Sequence, residues 1–188
     1  MITGPSGVGK GTLIRTLVER IPDLELSVSA TTRSPRPGER DGVDYHFLDD
    51  AEFERRVQAG DFVEHAAYSG RRYGTLRSEL ERRTSAGAPV VLEIEVQGAR
   101  QIRETMPEAV RIFIAPPSEE ALRNRLVGRG TDDPEQVEAR LRTASEELAA
   151  QGEFPHVVIN DRLDDAVEAL EEVVSVALSR DGNGNGAV

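Results

Sequence analysis

Short β-branched and aliphatic runs alternate along the chain with longer stretches in which apolar positions recur every three or four residues. The runs at 26–30, 90–96, 109–115 and 156–160 predict buried strands. The stretches 11–20, 97–105, 118–128, 134–151 and 164–178 predict helices, two of them opening on cap residues, Ser118 and Asp133. Strands alternating with helices imply right-handed crossovers, and so an α/β fold with a parallel sheet and helices on both faces. Two segments break the rhythm. Residues 33–83 hold turn signals (Pro35, Pro37, Gly38, Gly42, Gly70, Gly74) and short polar–apolar alternations, which predict a small mixed α+β insertion. A charged, glycine-containing loop at 129–134 separates two helices. The expected division is a core of 1–32 and 84–180, the insertion 33–83, and a disordered Gly/Asn-rich tail at 181–188. No internal repeat is present.

Composition narrows the chemistry. The 188 residues suffice for one domain with a buried core. A net charge of −11 disfavours nucleic-acid polymers and anionic membranes as partners. With no cysteine, disulfide scaffolds, Cys-ligated zinc and thiol catalysis are excluded. An aromatic content of 4% disfavours base-stacking platforms. The start carries no basic and apolar leader pattern, and no apolar run nears the ~18 residues of a span, so a cytoplasmic protein is expected. Of the 23 basic residues, Lys10 is the one lysine and the rest are arginine.

Lys10 ends a phosphate-binding pattern, Gly4-Pro5-Ser6-Gly7-Val8-Gly9-Lys10-Gly11-Thr12. Its glycines let backbone N–H groups converge on phosphate oxygens, the following helix offers its positive N-terminus, and the lysine reaches the β/γ-phosphates. A lone lysine in an arginine-rich chain suggests that a compact ammonium is needed there. The strict pattern wants Ser or Thr directly after the lysine. Gly11 stands there and Thr12 one later, which favours Mg²⁺ held by phosphates and water, with Thr12 or Glu93 as protein candidates. Only Met1, Ile2 and Thr3 precede Gly4, so the first strand is expected to be stunted or to continue in residues upstream.

A second set of segments follows in order: 29–39 with two arginines three apart, 41–47, Phe62-Val63-Glu64, Tyr73-Gly74-Thr75, and 92–98. Together with the phosphate loop, this set resembles the guanylate kinases over about residues 1–178. The resemblance implies a P-loop kinase core, a GMP-binding insertion, a lid at about 125–142, and transfer of the γ-phosphoryl group of ATP to GMP, and to dGMP, with Mg²⁺. Two-charge monophosphates suit arginine forks. Arg33 and Arg36, with the Tyr45 and Tyr73 hydroxyls, can clamp one, and all four match the family's GMP-phosphate contacts. Guanine offers N1–H and N2–H₂ donors that one carboxylate accepts together. Glu64 and Glu95 match the positions that read this edge, and Ser29 and Thr75 match its hydroxyl contacts. Glu93 and Glu95 lie two apart on a predicted strand and so share a face. That strand reads either as a ligand site at a sheet's C-terminal end or as an edge strand with a solvated acidic face.

By the same resemblance, Arg125, Arg129 and Arg140 are lid residues that join Lys10 and Arg33 in neutralising the transferring phosphoryl group, and Asn160 borders the adenine pocket. His46, His65 and His156 lack metal-ligand spacing. A GMP phosphate oxygen is already an anionic nucleophile, so no general base is required. The alternatives are another nucleoside-monophosphate kinase and an inactive guanylate-kinase-like module that binds phosphopeptides. A monomer or homodimer is expected.

Overall fold

The computed structural model describes residues 1–85, 87–127 and 134–184. Its strands are β1 (Ile2–Thr3), β2 (Glu25–Leu26), β3 (Ala30–Thr31), β4 (His46–Phe47), β5 (Phe62–Tyr68), β6 (Arg71–Leu76), β7 (Val90–Val91), β8 (Ile112–Ala115) and β9 (His156–Ile159). Its helices are α1 (Lys10–Arg20), α2 (Asp50–Ala59), α3 (Arg77–Thr84), α4 (Val96–Thr105), α5 (Glu119–Val127), α6 (Pro134–Ala149) and α7 (Leu163–Gly184). Two compact units result, one of Met1 with Asp23–Ala109, the other of Ile2–Pro22 with the chain from Val110 onward.

The second unit is built on a parallel sheet of order β1-β8-β9. All four residues of β8, Ile-Phe-Ile-Ala, are buried, as a central parallel strand requires. Leu13, Ile14 and Leu17 form the fully buried stripe of α1, which packs on α7, and Leu122 with Leu126 does the same for α5. The Ser118 hydroxyl accepts the Ala121 N–H at 3.1 Å, the expected cap of α5. Asp133, the other expected cap, lies outside the described residues, as does Arg129.

In the first unit, β2 and β7 pair in parallel, and a four-stranded sheet of order β4-β3-β6-β5 mixes one parallel with two antiparallel pairings. Phe53 of α2 stacks on Phe62 at 4.5 Å, and with Ala30 and Leu76 forms a small core. The Asp49 side chain caps α2 by accepting the Glu52 N–H at 2.7 Å, and Gly60 ends the helix in the left-handed conformation.

The α/β class with parallel pairing is as the hydrophobic pattern predicts. Several predicted runs divide differently. The run 26–30 is split between two sheets, because Ala30 pairs with β4 and β6 rather than continuing β2. The run 90–96 forms ladder only at Val90–Val91. Beyond it Leu92, Ile94 and Val96 stay buried while Glu93 and Glu95 are half-exposed, so the period-two alternation outlasts the ladder. Helix α7 continues through Gly184 into the Gly/Asn-rich segment, since an established helix extends at one hydrogen bond per residue fixed. Residues 185–188 lie outside the described residues.

Candidate functional site

The phosphate loop joins β1 to α1. At Gly4, φ is +147° and a Cβ would lie 2.3 Å from the Ile114 carbonyl oxygen, so only glycine lets the loop leave the sheet beside β8. Gly9, at φ +99°, caps α1, and a Cβ there would meet Asn160 Nδ2 at 2.7 Å. Lys10 is 8% exposed. Its ammonium folds back over the loop and donates to the Gly4 carbonyl, with the Pro5 carbonyl 3.5 Å away.

Arg125 and Asn160 converge on this loop through its carbonyls. The Val8 carbonyl accepts Asn160 Nδ2 at 2.8 Å and Arg125 Nη1 at 3.2 Å, and Arg125 Nη2 donates to the Asn160 carbonyl at 2.8 Å. These bonds satisfy acceptors of the loop. Helix α6 adds two contacts. Arg140 Nη2 donates to Ser6 Oγ at 2.8 Å, and the Ser6 N–H donates to Glu147 Oε2 at 3.3 Å. Sequence reasoning missed Glu147. Its signal was its position seven residues, about two turns, beyond Arg140 on one helix face.

The first unit carries two further clusters. Arg33 makes a forked pair with Glu39, both bonds 2.9 Å, and Glu39 also accepts the Arg36 N–H at 2.6 Å. The Arg33 guanidinium lies 5.2 Å from the Tyr45 ring centroid, and Tyr45 meets Tyr73 edge-on at 6.3 Å. The hydrogen bonds to Glu39 raise the Arg33 pKa further, and those from Arg33 and the Arg36 N–H hold the Glu39 carboxyl below its usual range. Burial, then the nearby Glu93 charge, pushes the Tyr45 phenol up, so it stays a neutral donor. Arg36 itself is exposed. Glu39, at the end of the quoted arginine segment, is a second residue the sequence reading did not single out. Its carboxylate fills the Arg33 fork, a geometry that suits planar or tetrahedral oxyanions in general.

The other cluster is carboxylate-rich. Glu64 pairs directly with Thr75 across β5 and β6, after a bulge between Phe62 and Glu64. The Thr75 hydroxyl donates to Glu64 Oε1 at 2.8 Å. Glu64 is 3% exposed. Burial pushes its carboxyl up to about 7, the Thr75 bonds oppose this, and the Glu95 charge adds to it. Glu95, at the N-cap of α4, has a buried Oε2 with no hydrogen-bond partner among the described residues. Ser29 sits half-buried in the turn before β3, its carbonyl accepting the His46 N–H at 2.9 Å. A ligand edge with two adjacent N–H donors would satisfy these carboxylate oxygens.

No group of three or more His, Cys, Asp or Glu able to hold a metal ion occurs among the described residues. The first turn of α1 offers one exposed hydroxyl, Thr12, beside Gly11. That sparse donor set fits Mg²⁺ carried by phosphates and water better than a protein cage.

A family profile described as Guanylate kinase matches residues 1–177. A guanylate kinase of Synechococcus sp. (strain CC9311) is 50% identical over 95% of this chain and 94% of its own length. One from Frankia casuarinae is 53% identical over 90% of the chain and 92% of its own length. The crystal structure of guanylate kinase from Anaplasma phagocytophilum superposes with a TM-score of 0.76 at 33% identity, covering 94% of this chain and 84% of that one. A gluconokinase from Sinorhizobium meliloti, at 20% identity and a TM-score of 0.52, shares the fold.

Proposed function

The chain belongs to the guanylate kinase family, and on that premise we propose which of its residues carry out the transfer of the γ-phosphoryl group from ATP to GMP. The products are ADP and GDP. The loop Gly4 to Thr12 takes the ATP phosphates on its backbone donors, with Lys10 swinging from the loop carbonyls to the β/γ-phosphates. Arg125, Arg129 and Arg140 neutralise the transferring group, and Arg125 with Asn160 also holds the loop by its Val8 carbonyl. Asn160 also borders the adenine pocket.

Arg33 and Arg36, with the Tyr45 and Tyr73 hydroxyls, bind the GMP phosphate, which replaces Glu39 in the Arg33 fork. Glu64 and Glu95 accept the guanine N1–H and N2–H₂, with Ser29 and Thr75 as hydroxyl contacts. The phosphates and water, with Thr12 or Glu93 as the protein candidates, would hold Mg²⁺, which would supply charge neutralisation for the transfer. The residues themselves position the acceptor oxygen in line; they remove no proton, because that oxygen is already anionic.

The buried Glu64–Thr75 pair beside the unpartnered Glu95 oxygen carries this reading. Adenine has no matching donor pair on its Watson–Crick edge. A coupled assay of ADP release is expected to show turnover with GMP and little with AMP. Equal turnover of the two would overturn the assignment of the base-reading residues.

A further inference from the structure

Two neighbours fix the Glu64 carboxylate. Oε1 is held by Thr75. Oε2 lies against the backbone of α4 at Gly98, where a Cβ would come within 2.0 Å of Oε2, 2.8 Å of Cδ and 3.3 Å of Cγ. Space, not backbone conformation, demands glycine here. Glycine is among the weakest helix formers, yet it stands third in this helix. One turn on, on the same face, Gln101 makes a reciprocal pair with the residue after Glu64. Its Nε2 donates to the His65 carbonyl at 2.7 Å, and its Oε1 accepts the His65 N–H at 3.1 Å. β5 is the edge of its sheet, so Gln101 supplies there the donor and acceptor that a neighbouring strand would offer.

We propose that Gly98 and Gln101 are positioning residues for guanine selectivity, holding the Glu64 carboxylate between α4 and Thr75 so that both its oxygens face the base edge. The proposal rests on Glu64 being the group that reads guanine. One carboxylate takes N1–H and N2–H₂ together only when its plane is aligned with the base. A methyl group at 98 displaces it, and loss of the Gln101 pair frees the bulged strand that carries it.

The test compares GMP with inosine monophosphate, which lacks only the 2-amino group, in the full-length enzyme. For Gly98→Ala the ratio of kcat/KM for GMP over inosine monophosphate is expected to fall at least tenfold, through KM for the nucleoside monophosphate, with KM for ATP unchanged. Gln101→Leu, which adds no clash, is expected to lower the same ratio by severalfold and covers the case in which the alanine variant does not fold. Glu64→Gln is the control. If it collapses the ratio while Gly98→Ala and Gln101→Leu keep the wild-type value, the positioning role is overturned and the base-reading role stands. If Glu64→Gln itself keeps the ratio, both are overturned.

Discussion

Burial lifts the Glu64 carboxyl from an ordinary 4.5 to about 7, and this ties both stability and ligand binding to pH. The folded state binds the proton more tightly than the unfolded chain. Stability from this group is therefore full below about 4.5 and is lost as pH rises through 7, by roughly 3 kcal/mol. Urea melts at several pH values are expected to show this loss in the wild type and its absence in Glu64→Gln. In the proposed base-reading role the carboxylate must be ionised, so the sign reverses for the ligand. Affinity for guanosine, which has no phosphate to titrate, should fall about tenfold from pH 8 to pH 6 in the wild type and stay flat in Glu64→Gln. The buried ammonium of Lys10 donates to the Gly4 carbonyl with the Pro5 carbonyl 3.5 Å away, a compact setting that suits an ammonium better than a bulkier planar guanidinium. Lys10→Arg is expected to lower kcat by about a hundredfold or more, or roughly 3 kcal/mol of transition-state stabilisation, with an unchanged circular-dichroism spectrum.

At the scale of elements, the turn before β3 depends on a residue of α3. Glu79 is buried, accepts the Val28 N–H at 3.2 Å, and pairs with Arg83 at 2.6 Å and Arg82 at 3.0 Å. Burial works to raise this carboxyl, but the two arginines and the backbone donor together hold it below its usual range. Removing the acid leaves Arg83 half its partners and the Val28 N–H without its acceptor. Glu79→Ala should cost about 3 kcal/mol in urea unfolding. Stability from Glu79 should also fade as pH drops through its lowered pKa, opposite in direction to Glu64. The pattern of apolar positions was enough to find α1, α4, α5 and α6, because their buried faces repeat at helical period. It could not separate Ala30 from β2, since a run of apolar residues does not say which sheet accepts each end.

For the whole molecule, the predicted sites divide between the two compact units. The phosphate loop, Arg125, Arg140 and Asn160 belong to one, and every residue assigned to GMP belongs to the other. Each ligand should therefore leave its own signature in amide hydrogen exchange. ATP is expected to slow exchange in the first turn of α1 and in the loop before it. GMP alone is expected to slow β5, β6 and the start of α4. Protection of the phosphate loop by GMP alone, without β5 and β6, would contradict this assignment. No described helix is long and apolar enough to cross a membrane. The net charge of −11 is a sum that hides local cations, and Lys10 with the five named arginines of the two sites carries charge opposite to it.

By itself the sequence determined which residue types are available for the chemistry: a glycine-rich loop with the one lysine, two arginines three apart, and two acids two apart in an apolar run. Those are properties of residue type and spacing, and they survive without coordinates. Tertiary structure decided what each group touches. Arg125 and Asn160 meet on the Val8 carbonyl, Glu39 fills the Arg33 fork, and Glu147 accepts from Ser6 across 141 positions of chain. Gly98 became meaningful only when α4 was seen packed on β5, because the space a side chain lacks is set by a neighbour 34 positions away in sequence. Distances of that kind arise from packing, which no local pattern encodes.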